Sequence, residues 1–489
     1  MMHRGRTLAV GGTCILMLAA CGSQIPPGHF YNGLGGGPAG TQGAGQPVAV
    51  GIDQPTSGPT GSSALTGGAT ITSGATLSNA NPGSGGGNPG GGGSGAPGGG
   101  AAAGVVKGSC AGFTNGTGIS NSDITVANSS DLSGPIAGLF LSAQQAVKAY
   151  LDYFNSTTGG VCGRRIKLVS LDSQTSDTGN LQAETSACSE AFALVGSMSA
   201  YDSGGASQGV KCGIPDLRAI AVNPQRADSP MSFGTDSLAI SQVPTSPYAY
   251  IKSTQGDAYQ HAAMIYLNIG ATTINGQSFQ KAEEAIGFKF VYTQAIAVTE
   301  FNYAPYVAAM VAKGVKYVQW VGNYQNAVNF KKAMDQQGFH PVFQMDSVAY
   351  DPGFAQQGGS SVDGTYSFID TDMFEEASRS TEMQLYLKWL NIVAPGAHPS
   401  FFGIFAWGAA RLFTETALRL GGKLNRASLL AALKQVRNYT SNGLFAPMQI
   451  GAKTSPPCQT EMQLEHGVWV RRTPYPFSCG QVVNTGIGK

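Results

Sequence analysis

The chain has 489 residues and a formal net charge of +1, with 12% charged residues, 69 glycines and 25 prolines. Near-neutrality with no basic run excludes a protein that grips nucleic acid through phosphate contacts. No apolar stretch approaches the ~20 residues that a spanning helix needs, so any membrane contact is made another way.

The first residues carry a targeting pattern. His3, Arg4 and Arg6 form a positive front, residues 8–20 are apolar or small, and the run ends in "LAAC" at Cys21. This reads as a secretory signal peptide over residues 1–20. "LAAC" resembles the lipobox of bacterial lipoproteins, which implies that Cys21 is lipidated and becomes the mature N-terminus. Acyl chains contribute ~0.8 kcal/mol per buried methylene, so Cys21 is expected to anchor the chain in the cell membrane on its extracytoplasmic face. Between residues 22 and 104 the only formally charged side chain is Asp53, and the tail "NPGSGGGNPGGGGSGAPGGG" has nothing to bury. Residues 21–104 are therefore expected to be a disordered tether. A flexible coil of this length reaches roughly 50 Å on average.

The body, residues 105–489, is too long for one ordinary core and suits two lobes. Apart from Cys14 and Cys21 it holds six cysteines, an even number that reads as disulfides in an exported chain. Sequence proximity favours Cys110 with Cys162, Cys188 with Cys212 and Cys458 with Cys479. No Cys-x-x-Cys pair is present, His261, His340, His398 and His466 have no metal-like spacing, and no phosphate loop or credible dinucleotide fingerprint appears outside the tether, so no metal or cofactor is expected.

In chain order, residues 124–127 read as a buried strand and residues 133–138 as a turn. Leu139, Ala143, Ala146, Val147, Tyr150, Leu151 and Phe154 then recur at helical spacing. Residues 166–171 predict a second strand, 180–191 a second helix and "FALVGSMSA" a third strand that runs into a small-residue loop. A second set follows: "AAMIYLN" and "KFVYTQAI" as strands, "APYVAAMVAKG" as a helix, "VKYVQWVGNY" as a strand, "AVNFKKAMDQQG" as a helix closed by Gly338, and "HPVFQMDS" as a strand. "FFGIFAWGAARLFTETALRLGG" is apolar nearly all round until Arg419 and reads as a buried helix, and Asn425 is placed to cap the next one. This alternation predicts an α/β fold with parallel sheets covered by helices.

In order and wording the body resembles the extracellular solute-binding proteins of ABC transporters for branched-chain amino acids, the leucine-binding type of the class I periplasmic-binding-protein fold. The pieces that carry the resemblance are "LSGPIAG", "FNSTTGGVCGRRIKLVSLDSQTS", "ALVGSMSA", "VAAMVAKGVKYVQWVGNYQNAVNFKKAMDQQG" and "EHGVWV", spread over about residues 120–470. It implies two Rossmann-like lobes joined by crossing hinge strands: lobe I at about 120–240 and 363–440, lobe II at about 245–350 and 441–489. It also implies a monomer that holds a small-molecule ligand, an amino acid or a small amide, in the interlobe cleft and presents its closed form to a permease.

Site residues follow from the same resemblance. The loop "GSMSAYDSGG" makes Ser197, Ser199 and Tyr201 candidates for holding a ligand carboxylate, with Ala221 and Asn223 of "AIAVN" beside them. Tyr324 of "WVGNY" is placed to pack over the ligand, and Asp346 of "FQMDS" to pair with its ammonium group. Gly196 is followed by serine instead of the family's proline, and the family's Tyr-Gly turn is absent from "LNIGATTINGQSF", which leaves the ligand open.

Two other readings compete. Residues 205–209 match Gly-x-Ser-x-Gly around Ser207, the pattern of a hydrolase elbow, but that elbow needs a strand running directly into the serine. The expected strand ends near Gly196, so no enzyme is expected. A lipoprotein that senses its ligand without transport would share the fold.

Overall fold

A computed structural model of the chain describes residues 105–134, 138 and 140–488. The expected signal peptide, Cys21 and the expected tether lie outside the described residues, as do residues 135–137 of the expected 133–138 turn.

The first half repeats strand and helix: β1 (Asp123–Ser130), α1 (Leu141–Thr158), β2 (Arg165–Asp172), α2 (Asp177–Glu190), β3 (Ala193–Val195), α3 (Ser203–Cys212), β4 (Asp216–Arg218), α4 (Pro224–Ala227) and β5 (Ser232–Gly234). These strands form one parallel sheet in the order β2-β1-β3-β4-β5. α1 turns Ala143, Ala146, Val147, Tyr150, Leu151 and Phe154 inward, as the spacing predicts, and ends at Gly159 with φ 74°. Ser176 caps α2 by accepting the Gly179 N–H.

The second half begins with β6 (Gln242–Pro244), α5 (Ser246–Thr254), β7 (Ala262–Leu267), α6 (Gly270–Ala285), β8 (Phe290–Ile296), α7 (Ala304–Ala312) and β9 (Tyr317–Val321). It continues through α8 (Tyr324–Gln336), β10 (Val342–Met345), α9 (Pro352–Gly358) and β11 (Tyr366–Ile369). α10 (Thr381–Val393), α11 (Phe401–Leu420) and α12 (Arg426–Leu433) return to the first half, where α10 and α11 pack on α1. β12 (Cys458–Glu465), β13 (Val468–Arg471), β14 (Ser478–Cys479) and β15 (Val482–Asn484) close the chain.

The second sheet runs β13-β12-β11-β10-β9-β7-β8, parallel from β11 to β8, with β12 and β13 added antiparallel. Its inner strands β7 and β9 are buried almost continuously, as strands covered on both faces require, whereas the edge strands β8 and β13 are partly exposed. β14 pairs with β12, and β15 with β6.

The chain crosses between the sheets at residues 235–241, 370–380 and 434–457, and these segments are tied side by side. Ala446 N–H donates to the Asp370 carbonyl at 2.8 Å. The Ser237 and Ser455 hydroxyls lie 2.7 Å apart, and Ser455 Oγ–H donates to the Gln242 carbonyl at 2.8 Å. The first lobe was expected to resume near residue 363, but pairing with β10 and β12 puts Tyr366–Ile369 in the second sheet. A four-residue strand does not advertise in sequence which distant partners will take its hydrogen bonds.

Two more elements depart from expectation. Residues 270–276, where Gly, Thr and Asn are frequent, open α6 because burial overrides propensity: Gly276 lies so close to Tyr266 that a Cβ would sit 2.7 Å from Cδ1, and the hydroxyls of Ser278 and Thr485 lie 2.8 Å apart. The 458–471 hairpin escapes because its signals are those of any exposed turn. The buried helix at 401–420 forms as read, and Asn425 caps α12 in a reciprocal pair with Ser428. Disulfides join Cys110 to Cys162, Cys188 to Cys212 and Cys458 to Cys479.

Candidate functional site

In parallel α/β sheets the loops beyond the strand carboxyl ends build the site. In the first half they converge on one side chain, Asp131, which follows β1 and is fully buried. Its Oδ1 accepts from Ser173 Oγ at 2.6 Å, Ser199 Oγ at 2.9 Å and Thr175 N at 3.2 Å, and its Oδ2 accepts from Ala200 N at 2.8 Å.

The loop after β3 turns at Gly196, whose φ is 64°. Ser197 is fully buried and its hydroxyl accepts the Ser129 N–H at 3.1 Å. Ser199, equally buried, gives its proton to Asp131 and accepts the Tyr201 N–H at 3.2 Å. Tyr201 itself is 46% exposed. Asn223, at the N-cap position of α4, donates to Asp202 Oδ1 at 2.9 Å and to the Ala200 carbonyl at 3.4 Å. Ala221 is buried, and its neighbour Val222 donates its N–H to Asp202 at 2.9 Å. Ser199, Tyr201 and Asn223 thus belong to one connected hydrogen-bond set.

An ion network underlies that set. Arg226 contacts Glu184 and Asp216, and Arg218 contacts Asp216 and Asp202, all with side chains at most 1% exposed. Burial pushes the Asp202 carboxyl up while Arg218 draws it down. The network fixes the loops of α3 and α4 relative to β4.

In the second half, Tyr324 is the first residue of α8, and its hydroxyl accepts from Gln357 Nε2 at 3.4 Å. Asp346 follows β10 and caps the turn at 347–350 by accepting the Val348 N–H at 3.2 Å. Burial pushes its carboxyl up to about 7.

Beside Asp346 lies a narrow recess, lined by Ser347, Val348, Tyr350 and Asp351 of the second half and Ser400, Phe401 and Phe402 of the first. Asp351 accepts the Gly353 N–H at 2.7 Å, and burial raises its pKa. The Phe402 ring stands edge-on to Phe140 at 5.1 Å, and Phe140 N–H donates to the Asp131 carbonyl at 3.3 Å. The recess is therefore joined to the Asp131 loop through two residues.

Sequence reasoning did not single out Asp131, Tyr350, Asp351, Phe401 or Phe402. The available signals were an Asp directly after a strand with a polar end and paired phenylalanines opening a buried helix. Ser207 lies inside α3, preceded by helix and not by a strand, so its surroundings lack the elbow geometry. Among the described residues no group of three or more His, Cys, Asp and Glu side chains is placed to hold a metal ion, and no helix is long and apolar enough to cross a membrane.

One parallel and one mostly parallel sheet, chain crossings tied together and a recess walled by both halves define an α/β binding protein. The periplasmic binding protein family model matches residues 123–465, and the chain belongs to that family. Solved structures share the fold at low identity. A fatty acid ABC transporter substrate-binding protein from Thermomonospora curvata has a TM-score of 0.64 at 16% identity, covering 77% of this chain and 96% of its own. A solute-binding protein of an R. palustris ABC transporter, in complex with 4-hydroxybenzoate, has a TM-score of 0.60 at 17% identity, covering 74% and 97%. A branched-chain amino acid transporter substrate-binding protein from Streptococcus pneumoniae, in complex with isoleucine, has a TM-score of 0.58 at 14% identity, covering 72% and 100%. No curated protein matches the sequence.

Proposed function

We propose that the chain is the lipid-anchored, extracytoplasmic receptor subunit of an ABC importer, a monomer that holds a small polar solute of the amino-acid or small-amide class between its two halves. The carrying observation is the recess walled by residues 347–351 on one side and 400–402 on the other, next to Asp346. A ligand that touches both halves only when they are together stabilises the closed form, and the permease reads that form. Asp346 takes the ligand's ammonium or amide nitrogen, Tyr324 lies over it, and the 197–201 loop with Ala221 and Asn223 forms the opposite wall. Cys21 and the tether keep the body near the membrane.

Thermal denaturation of the purified full chain against a panel of amino acids and amides is the test, because a bound ligand raises the melting temperature. At least one member is expected to raise it, and Asp346→Ala is expected to abolish that rise. A panel with no effect refutes the reading, and an undiminished rise in Asp346→Ala removes the ammonium site.

A further inference from the structure

Four donors from two loops meet at Asp131: the hydroxyls of Ser173 and Ser199 and the N–H groups of Thr175 and Ala200, at 2.6–3.2 Å. Such convergence at the carboxyl edge of a parallel sheet is an anion seat, and its occupant here is the chain's own carboxylate. The hydroxyl proton of Ser199 and the N–H of Ala200 are thereby committed. From the same loop a short path, Asp131 to Phe140 to Phe402, leads to the recess, whose lining contains Asp351 and no Lys, Arg or His. Asp346 stands beside it and His398 is close enough to Asp351 to draw its carboxyl down, so the acids around the space outnumber the imidazole.

We propose that Asp131 is a specificity residue: it fills the anion seat of the first half, so that the protein takes ligands with N–H donors, amines or amides with an apolar body, and refuses free carboxylates. This rests on the solute-binding reading above. A ligand carboxylate would find the Ser199 hydroxyl and the Ala200 N–H already committed to Asp131, and would face Asp346 and Asp351 with only the His398 imidazole near Asp351 to offset them, so like charges oppose it. An ammonium or amide nitrogen meets acceptors instead, and the rings of Tyr350, Phe401 and Phe402 suit an apolar or cationic group.

Two arms of one denaturation experiment on the full chain test it. In the first, the parent is titrated with pairs such as leucine and leucinamide, or phenylalanine and phenethylamine. The amide or amine is expected to raise the melting temperature by a few degrees and the free acid not to. An acid that stabilises as well as its amide overturns the inference while leaving the solute-binding reading intact, whereas silence from every solute counts against that reading itself. In the second arm, Asp131→Ala leaves four donors facing an empty seat, and acetate is expected to raise its melting temperature by more than it raises the parent's. Recovery of folded Asp131→Ala only in acetate is the same result. Asp131→Asn, which keeps the seat filled, is expected to fold and to show no acetate effect beyond the parent's. Equal responses of Asp131→Ala and parent to acetate overturn the anion seat whatever the ligand proves to be.

Discussion

Arg226 and Glu184 meet twice in the first half, Nη1 to Oε1 at 3.0 Å and Nη2 to Oε2 at 3.1 Å, with both side chains 1% exposed. The same guanidinium reaches Asp216 at 3.1 Å and the Asp202 carbonyl at 2.9 Å, so it neutralises and positions several groups at once. Removing it strands buried carboxylates. Arg226→Ala is therefore expected to cost about 3–5 kcal/mol, whereas a surface Lys148→Ala, whose partner Asp152 is exposed, is expected to cost under about 1 kcal/mol. Urea denaturation of both variants checks the contrast.

The chain crossings hold two acids that have moved the same way. Burial pushes Asp236 up to about 7, and burial together with the charge of Asp236 raises Asp370 well above the carboxylate range. A folded-state pKa above the unfolded value means that the fold prefers the protonated acid. The stability they contribute is therefore complete below about pH 4 and is lost as pH rises through 7, by at most about 1.4 kcal/mol per pH unit per group. Buried Glu283 and Glu461, both raised well above the usual range, extend the loss to higher pH. Melting temperature is expected to fall between pH 5 and 8, and less steeply in Asp236→Asn. A profile that rises through this window in the parent contradicts the assignment.

Gly196 sets the loop that carries Ser197, Ser199 and Tyr201. A Cβ there would run into Val147 Cγ2, approach Ala406 Cβ to 3.2 Å, and have to tolerate φ 64°. Strain and overpacking of this kind cost about 1–3 kcal/mol each. Gly196→Ala is expected to lose at least that much stability and to weaken ligand binding, while Gly213→Ala, with a similar φ of 66° but open space around the Cβ, pays only the backbone part. Denaturation with binding measured in parallel separates the two.

Asp346 must be ionised to pair with an ammonium ligand, and burial holds its carboxyl at about 7. Affinity for such a ligand is therefore expected to fall below pH 7, by up to tenfold per pH unit, and to level off above it. Asp346→Asn removes that dependence along with the ion pair. Calorimetric titration across pH 5.5–8.5 reads both, and a flat parent profile argues against Asp346 as the partner.

Local pattern was enough for much of the chain. The spacing of Ala143, Val147, Tyr150 and Phe154 makes α1 and its inward face, the apolar run at 401–420 makes a buried helix, and proximity pairs the six cysteines. Each of these is a property of neighbours in sequence, where period, capping and short loops act without help. Tertiary structure alone decided the rest. α6 opens on weak helix formers where Gly276 fits under Tyr266, and β11 joins the second sheet because β10 and β12 supply its partners. The commitment of Ser199 was invisible because its acceptor, Asp131, lies sixty-eight residues away. A hydroxyl in a sequence advertises a donor, but whether that proton is still free for a ligand depends on which distant acceptor folding brings to it.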